Sequence, residues 1–216
     1  MKVFAHRGFS AEYPEASRIA YEKAVTAGAD GFECDVRLTR DDIPICFHDR
    51  DLKRMANHRG WIARMRLAEI REKLDVVALD ELIELAVKNN KHLLIETKHP
   101  VAKRHKIEAA VIERIKAAKS PNRMTAMSFS LLAVRRFLKS HDDVAYIFKR
   151  TWRTIYIPTK TVAVDIELFR RSKIVRRRLS NKEVFLWTVN DLSDVAKLKE
   201  WKIAGVISDR PNLKFN

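Results

Sequence analysis

Short runs rich in β-branched and aromatic residues alternate along the chain with longer stretches whose apolar positions recur every three to four residues. That alternation is the pattern of repeated strand–helix units around a parallel sheet. Eight strands are predicted, over 3–7, 31–38, 92–98, 123–129, 144–148, 161–166, 184–189 and 205–208, with a further extended piece at 44–48 after the second. Between them, Ile19, Ala20, Ala24 and Val25, then Leu82, Ile83, Leu85 and Ala86, then Ile107, Val111, Ile112 and Ile115 each trace one face of a helix. Eight such units in 216 residues predict an α/β fold, a compact (β/α)₈ TIM barrel, with a doubly wound sheet as the competing layout.

Two places break the rhythm. Residues 49–78, rich in Arg, Asp and Met, read as a short insertion with one helix, and residues 150–160 read as a loop where a full helix would otherwise stand. Loops of this kind carry specificity in barrel enzymes. With only 5 glycines and 6 prolines there is no linker or low-complexity tract, so one domain over 1–216 is expected.

Composition narrows the class. A hydrophobic content of 46% fills a core, and no run of apolar residues is long enough to span a bilayer. Met1 leads straight into Val3, Phe4 and Ala5 without a basic-then-apolar leader, and Cys34 and Cys46 are too few for a disulfide framework or a zinc cluster. A reducing, cytoplasmic compartment is expected. The net charge of +15 is uneven: residues 1–100 balance 17 Lys/Arg against 17 Asp/Glu, whereas 101–182 carry 21 against 6. Such a field attracts anionic small molecules, acidic membrane surfaces or nucleic acid. In 170–178 the pattern places Ile174 and Val175 against the barrel, with the arginines outward as a solvated face or a contact for acidic lipid.

Charge inside the predicted strands carries the chemistry. Alternation puts Glu33 and Asp35 on one face of the second strand and Glu96 with Lys98 on one face of the third. Strands of a parallel barrel are buried on both sides, so lone carboxylates there cost several kcal/mol each. Salt bridges are one remedy, pairing Glu96 with Lys98 or Arg7 and Asp35 with Arg37. The other is a divalent cation with oxygen ligands, Mg²⁺ or Ca²⁺, which three carboxylates at the carboxyl ends of barrel strands favour.

His6 ends the first strand and His48 ends the extended piece, both at the same expected barrel mouth. Two imidazoles supply a general base and a general acid near neutral pH. His58, His92, His99, His105 and His141 have no such placement and are expected on the surface or in structural roles. Arg7 and Lys98 add positive charge matched to a phosphodiester as its transition state gains negative charge, so phosphodiester hydrolysis is the expected reaction class. Phe129 and Trp187, at strand ends, are expected as apolar walls of the pocket or as core. Asp209 is expected to cap the turn before Pro211 or to orient a neighbour, without a catalytic role.

The assembled series resembles the glycerophosphodiester phosphodiesterase family. It runs through His6-Arg-Gly8, Pro14-Glu15, Gly28-Ala-Asp30, Glu33-Cys-Asp-Val36, Thr39, His48-Asp49, Leu52 and Arg54. It then continues through Leu79-Asp-Glu-Leu82, Ile95-Glu-Thr-Lys98, Ser128-Phe129, Trp187-Thr-Val-Asn190 and Ile207-Ser-Asp-Arg-Pro211. The resemblance implies a divalent cation held by Glu33, Asp35 and Glu96, an acid/base pair of His6 and His48, phosphate contacts from Arg7 and Lys98, and support from Glu15. It also implies cleavage of a glycerophosphodiester to sn-glycerol 3-phosphate and an alcohol, a step of glycerol and lipid metabolism. His6 is the expected activator of the nucleophile and His48 the expected proton donor to the leaving alkoxide. The chain departs from the family's pattern at Ala16-Ser17, where Asn-Thr is usual, at Asp42, where a turn glycine is common, and after Arg54, where a Thr-rich stretch is missing. Two rival readings accompany this one: lysophospholipid hydrolysis on the same barrel, and a non-catalytic basic module binding nucleic acid.

Overall fold

The computed structural model describes residues 1–101, 106–120, 122–191 and 195–213, with the main chain alone at 195–197. Its strands are β1 (Lys2–His6), β2 (Gly31–Leu38), β3 (Pro44–Cys46), β4 (His92–Thr97), β5 (Met124–Ser128), β6 (Val144–Phe148), β7 (Thr161–Asp165), β8 (Glu183–Trp187) and β9 (Gly205–Ser208). All but β3 pair in parallel. The order β1-β9-β8-β7-β6-β5-β4-β2 closes on itself through β1–β2, giving an eight-stranded barrel. β3 lies antiparallel on β2 with Val36 opposite Cys46, which turns the chain back so that His48 returns to the level of Asp35.

The helices α1 (Arg18–Thr26), α4 (Leu79–Lys88), α5 (Lys106–Ala117), α6 (Leu131–Phe137), α7 (Ile166–Arg171), α8 (Lys173–Arg178) and α9 (Val195–Glu200) follow their strands around the barrel. Two more, α2 (Lys53–Ala56) and α3 (Leu67–Arg71), belong to the insertion. Alternation along the strands sorts the core into two shells. Phe4, Leu94, Met127, Ala145, Ile147, Ala163, Phe185 and Ile207 fill the interior. Phe32, Cys34, Val36, Leu93, Ile95, Tyr146, Val162 and Val164 face the helices. Burying one such large side chain contributes about 1.5–3 kcal/mol. Gly31 is required where β2 enters the sheet, because a Cβ there would collide with the His92 carbonyl and the Phe4 ring.

The floor of the barrel is polar but matched. Arg123 binds Asp143 through Nε at 2.7 Å and Glu183 through both terminal nitrogens, and Thr125 Oγ1 donates to Asp143. Buried His92 shares a hydrogen bond of 2.8 Å between its Nε2 and Thr125 Oγ1. These groups close the end of the barrel opposite the carboxyl ends of the strands.

Several expectations are corrected. The insertion holds two short helices and a 3₁₀ turn (Ile62–Arg64) rather than one helix, packed over a small core of Ile45, Phe47, Leu52, Ile62, Ile70 and Val76. The basic stretch 170–178 is two helices, α7 and α8. They are broken at Ser172, which leaves helical geometry (φ −111°, ψ 101°) and accepts a hydrogen bond from Val175 N. Val175 is buried, as expected, but Ile174 is 58% exposed, because the break rotates it away from the barrel. The 150–160 connection carries only a 3₁₀ turn (Thr151–Ile155), in keeping with the loop expected there. His105 lies outside the described residues. Among the described residues, no helix is long and apolar enough to cross a membrane.

Candidate active site

At the carboxyl end of the barrel a cavity of about 300 Å³ is lined by His6, Arg7, Glu33, Asp35, His48, Glu96 and Lys98 on one side. Met127, Phe129, Ile147, Lys149, Ala163, Trp187, Thr188 and Ile207 line the other. Every lining residue from a strand interior comes from the inward-facing alternate positions. The expected carboxylates, histidines, cations and aromatics therefore meet in one place although they are scattered over most of the chain.

The turn after β1 aims Arg7. Arg7 (φ 54°) and Gly8 (φ 82°) are both left-handed. Gly8 also sits so close to α1 that a Cβ would lie 2.7 Å from the Ala20 Cβ, so only glycine fits. For Arg7 this conformation costs about 1 kcal/mol. It is fixed by hydrogen bonds from Arg7 N to the Glu33 carbonyl (3.1 Å) and from Ala16 N to the Arg7 carbonyl (2.8 Å). α1 is in turn started by Ser17, whose Oγ accepts from Ala20 N and donates to the Pro14 carbonyl. The hydroxyl thus serves at this departure from the family's pattern as a threonine hydroxyl would.

Glu33, Asp35 and Glu96 are all buried, and each offers an oxygen within 4.8 Å of the others. Lys98 Nζ lies 2.8 Å from Glu96 Oε1 and 3.1 Å from Asp35 Oδ1, while Arg7 Nε lies 2.7 Å from Asp35 Oδ2. The expected pairing of Asp35 with Arg37 does not occur: Arg37 Nε donates instead to the His48 carbonyl at 2.9 Å and holds the segment that carries that histidine. Two cations thus face three carboxylates. Burial and repulsion from Asp35 and Glu96 push Glu33 well above the usual carboxylate range, and burial with repulsion from Asp35 raises Glu96 to about 7. Burial opposes the charge on Asp35 too, but Lys98 and Arg7 outweigh it and hold its pKa down.

These residues fit a divalent cation. Among the described residues, Glu33 Oε2 and Asp35 Oδ2 are buried without a hydrogen-bond partner; the Arg7 contact to the latter is close but not aligned as a hydrogen bond. Unmatched buried acceptors are expensive. Ligand oxygens sit about 2.0–2.6 Å from Mg²⁺ or Ca²⁺, so oxygens sharing one ion can be up to about 5 Å apart, a spacing this triad satisfies.

Each histidine is braced from behind by a carboxylate. His6 Nδ1 lies 2.6 Å from Asp209 Oδ1, and Asp209 also accepts from Ser10 Oγ (3.0 Å) and Asn190 Nδ2 (2.6 Å). Although burial opposes ionisation of Asp209, the hydrogen bond from His6 and the charge of His6, helped by Asn190 and Ser10, bring its pKa down to about 2. An ionised carboxylate only accepts, so Nδ1 must donate, which leaves Nε2 of neutral His6 as an acceptor 3.9 Å from Glu33 Oε2. His48 Nδ1 lies 2.7 Å from Asp49 Oδ1 in the same way. Burial chiefly lowers the His48 pKa, with Lys98 and Arg7 adding to it and Asp35 and Asp49 opposing.

Behind Asp49 stands Arg54, whose Nε donates to Asp49 Oδ2 at 2.6 Å and whose terminal nitrogens bind both oxygens of Glu15. Glu15 also accepts from Arg7 Nη1 at 3.2 Å. Glu15, expected as a supporting residue, thus contacts both Arg7 and Arg54. Asp49, Arg54, Asn190, Ser10 and Lys149 had no assigned role. Asp209, expected to cap the turn before Pro211 or to orient a neighbour, is hydrogen-bonded to His6. The signal for Asp209 was available: it lies two residues beyond inward-facing Ile207 and so shares its face.

Phe129 and Trp187 form an edge-to-face pair with ring centroids 5.6 Å apart, and Lys98 Nζ lies 5.9 Å from the Phe129 centroid. Trp187 Nε1 is buried without a partner among the described residues. The pair walls the cavity opposite the acidic triad. His58, His92, His99 and His141 lie outside the cavity lining.

Comparison with known proteins gives a consistent picture. A model of the glycerophosphoryl diester phosphodiesterase family matches residues 6–213. The chain is 29% identical to a probable glycerophosphodiester phosphodiesterase 1 of Mycobacterium tuberculosis, covering 97% of this chain and 89% of that protein. It is 28% identical to a glycerophosphodiester phosphodiesterase of Bacillus altitudinis, covering 98% and 95%. Among solved structures, a glycerophosphodiester phosphodiesterase from Thermotoga maritima superposes with a TM-score of 0.81 at 27% identity, over 97% of this chain and 95% of that one. An Oleispira antarctica phosphodiesterase in complex with the product sn-glycerol-3-phosphate superposes with a TM-score of 0.85 at 24% identity, over 98% and 94%.

Proposed function

The chain belongs to the glycerophosphoryl diester phosphodiesterase family and is an enzyme of that class, and on that premise we propose that His6 and His48 are its acid/base pair, acting on a glycerophosphodiester held by Arg7 and Lys98. The observation that carries this is the pairing of each imidazole, through Nδ1, with its own carboxylate at the edge of one cavity. Residues 1–216 act as one catalytic domain.

The oxygen of a water molecule forms its bond to phosphorus as its proton passes to Nε2 of His6, and anionic Asp209 stabilises the imidazolium so formed. The P–O bond to the alcohol breaks as His48 hands that oxygen a proton. A lowered pKa makes the His48 imidazolium the stronger donor, while Asp49 supports its protonated form. Arg7 and Lys98 hold the phosphoryl oxygens and meet the growing negative charge. Glu33, Asp35 and Glu96 would hold Mg²⁺ or Ca²⁺, which when bound supplies a double positive charge to the phosphoryl group. Phe129 and Trp187 exclude water and pack against the carbon skeleton of the substrate. The products are sn-glycerol 3-phosphate and an alcohol, within glycerol and lipid metabolism. Buried free Cys34 and Cys46 suit a reducing, cytoplasmic setting.

The test is release of glycerol 3-phosphate from glycerophosphocholine, with and without chelator. Loss on chelation and recovery with Mg²⁺ or Ca²⁺, together with loss of at least 10³-fold in His6→Ala and His48→Ala while the circular dichroism stays native, is the expected outcome. Wild-type turnover in both variants would overturn the acid/base assignment.

A further inference from the structure

The flank of the barrel built from α6, the 150–160 connection and α8 combines two properties that soluble surfaces keep apart. Residues 131–182 carry 14 Lys/Arg against 4 Asp/Glu, a large share of the net charge of the chain. The same flank exposes large apolar side chains: Trp152 is 54% exposed, Tyr156 52%, Ile155 77%, Leu132 61% and Ile174 58%. Isolated exposed apolar residues need no explanation, but a cluster rimmed by charge marks an interaction site.

The cluster is one surface. Arg135 of α6 lies over the Tyr156 ring at 5.2 Å, Arg153 lies over Trp152 at 4.4 Å, and Arg178 of α8 donates to Thr154 Oγ1 at 2.8 Å. Leu132 precedes Arg135 by three residues and Ile174 precedes Arg178 by four, so each lies on the helix face that its arginine extends. The missing helix between β6 and β7 is what makes this possible. A full helix there would turn one apolar face inward, whereas the short 3₁₀ turn buries only Thr154 and leaves its large side chains outside.

We infer that this flank docks the enzyme on the surface of an anionic lipid bilayer. The positive field complements acidic headgroups. Trp152 and Tyr156 are amphipathic rings suited to the headgroup level, and Ile155, Leu132 and Ile174 are aliphatic groups suited to the acyl boundary just beneath. A second copy of the chain would bring like charge against like. A nucleic acid would satisfy the arginines and the rings but offers nothing apolar for three aliphatic side chains. The inference concerns binding alone and stands or falls separately from the reading of the active site.

The test is co-sedimentation of the full chain with vesicles. Binding to vesicles of phosphatidylglycerol and phosphatidylcholine, weak binding to phosphatidylcholine alone, and loss of binding in high salt are expected. The triple variant Trp152→Ser, Ile155→Ser, Tyr156→Ser and, separately, Arg177→Glu with Arg178→Glu should each weaken partitioning about tenfold or more. Both should leave hydrolysis of dissolved glycerophosphocholine unchanged, since no substituted residue lines the active-site cavity. Vesicle binding that the serine variant retains in full would overturn the inference, as would absence of binding to acidic vesicles or preferential, salt-sensitive capture of single-stranded RNA.

Discussion

Asp209 shows how much one carboxylate can decide. His6 could rotate freely at the end of β1, yet a single anionic acceptor fixes both the ring and the proton on it. Asp209→Asn keeps the shape and removes the charge, so kcat is expected to fall about 10²-fold with little change in KM, because Arg7 and Lys98 are untouched. Steady-state kinetics on glycerophosphocholine would check this, and an equal change in both constants would speak against it. Glu33, Asp35 and Glu96 were legible because charged residues at buried strand positions demand an explanation, and His6 and His48 because both end extended segments at the same barrel mouth. Asp49 and Arg54 were not assigned, because what Arg54 grips is set by an insertion folding back onto Glu15, 39 positions earlier in the chain.

At the level of elements, the approach of α1 to the first turn depends on its cap. Ser17→Ala removes the acceptor for Ala20 N and the donor to the Pro14 carbonyl, and is expected to cost about 1 kcal/mol in a urea titration. The insertion meets the site through Arg54. Its side chain is half exposed, so Arg54→Ala should leave the melting temperature nearly unchanged yet lower kcat/KM about tenfold, by freeing Asp49 and Glu15. Hydrophobic period identified the regular helices. It missed the break at Ser172, because there a local side-chain cap starts a new helix and redirects Ile174.

For the whole molecule, the polar floor makes stability depend on pH. Burial, joined by the charge of Arg123, lowers the pKa of His92 to about 4, against 6.5 unfolded, although Asp143 and Glu183 nearby favour its charge and Lys2 opposes it. Below pH 6.5 the unfolded chain takes up a proton that the folded chain refuses. Stability is therefore full above that pH, falls as the pH drops toward 4, and loses on the order of 3 kcal/mol from this group. Urea midpoints at pH 7 and pH 4.5 should differ less in His92→Asn than in the native chain, and an equal difference would remove His92 as a cause.

By itself, the sequence determined the count and order of strand–helix units, the inward or outward face of each strand position, and hence which side chains share a barrel mouth. Those follow from periods of two and 3.6 residues, which are local properties of the backbone. Only the tertiary structure decided which carboxylate braces which imidazole, that Asp35 is held by Arg7 and Lys98 rather than Arg37, and that a flank of aromatics and arginines is left uncovered. Those depend on closure of the barrel and the distances it imposes between residues up to 203 positions apart, as with His6 and Asp209, and no local period encodes such distances.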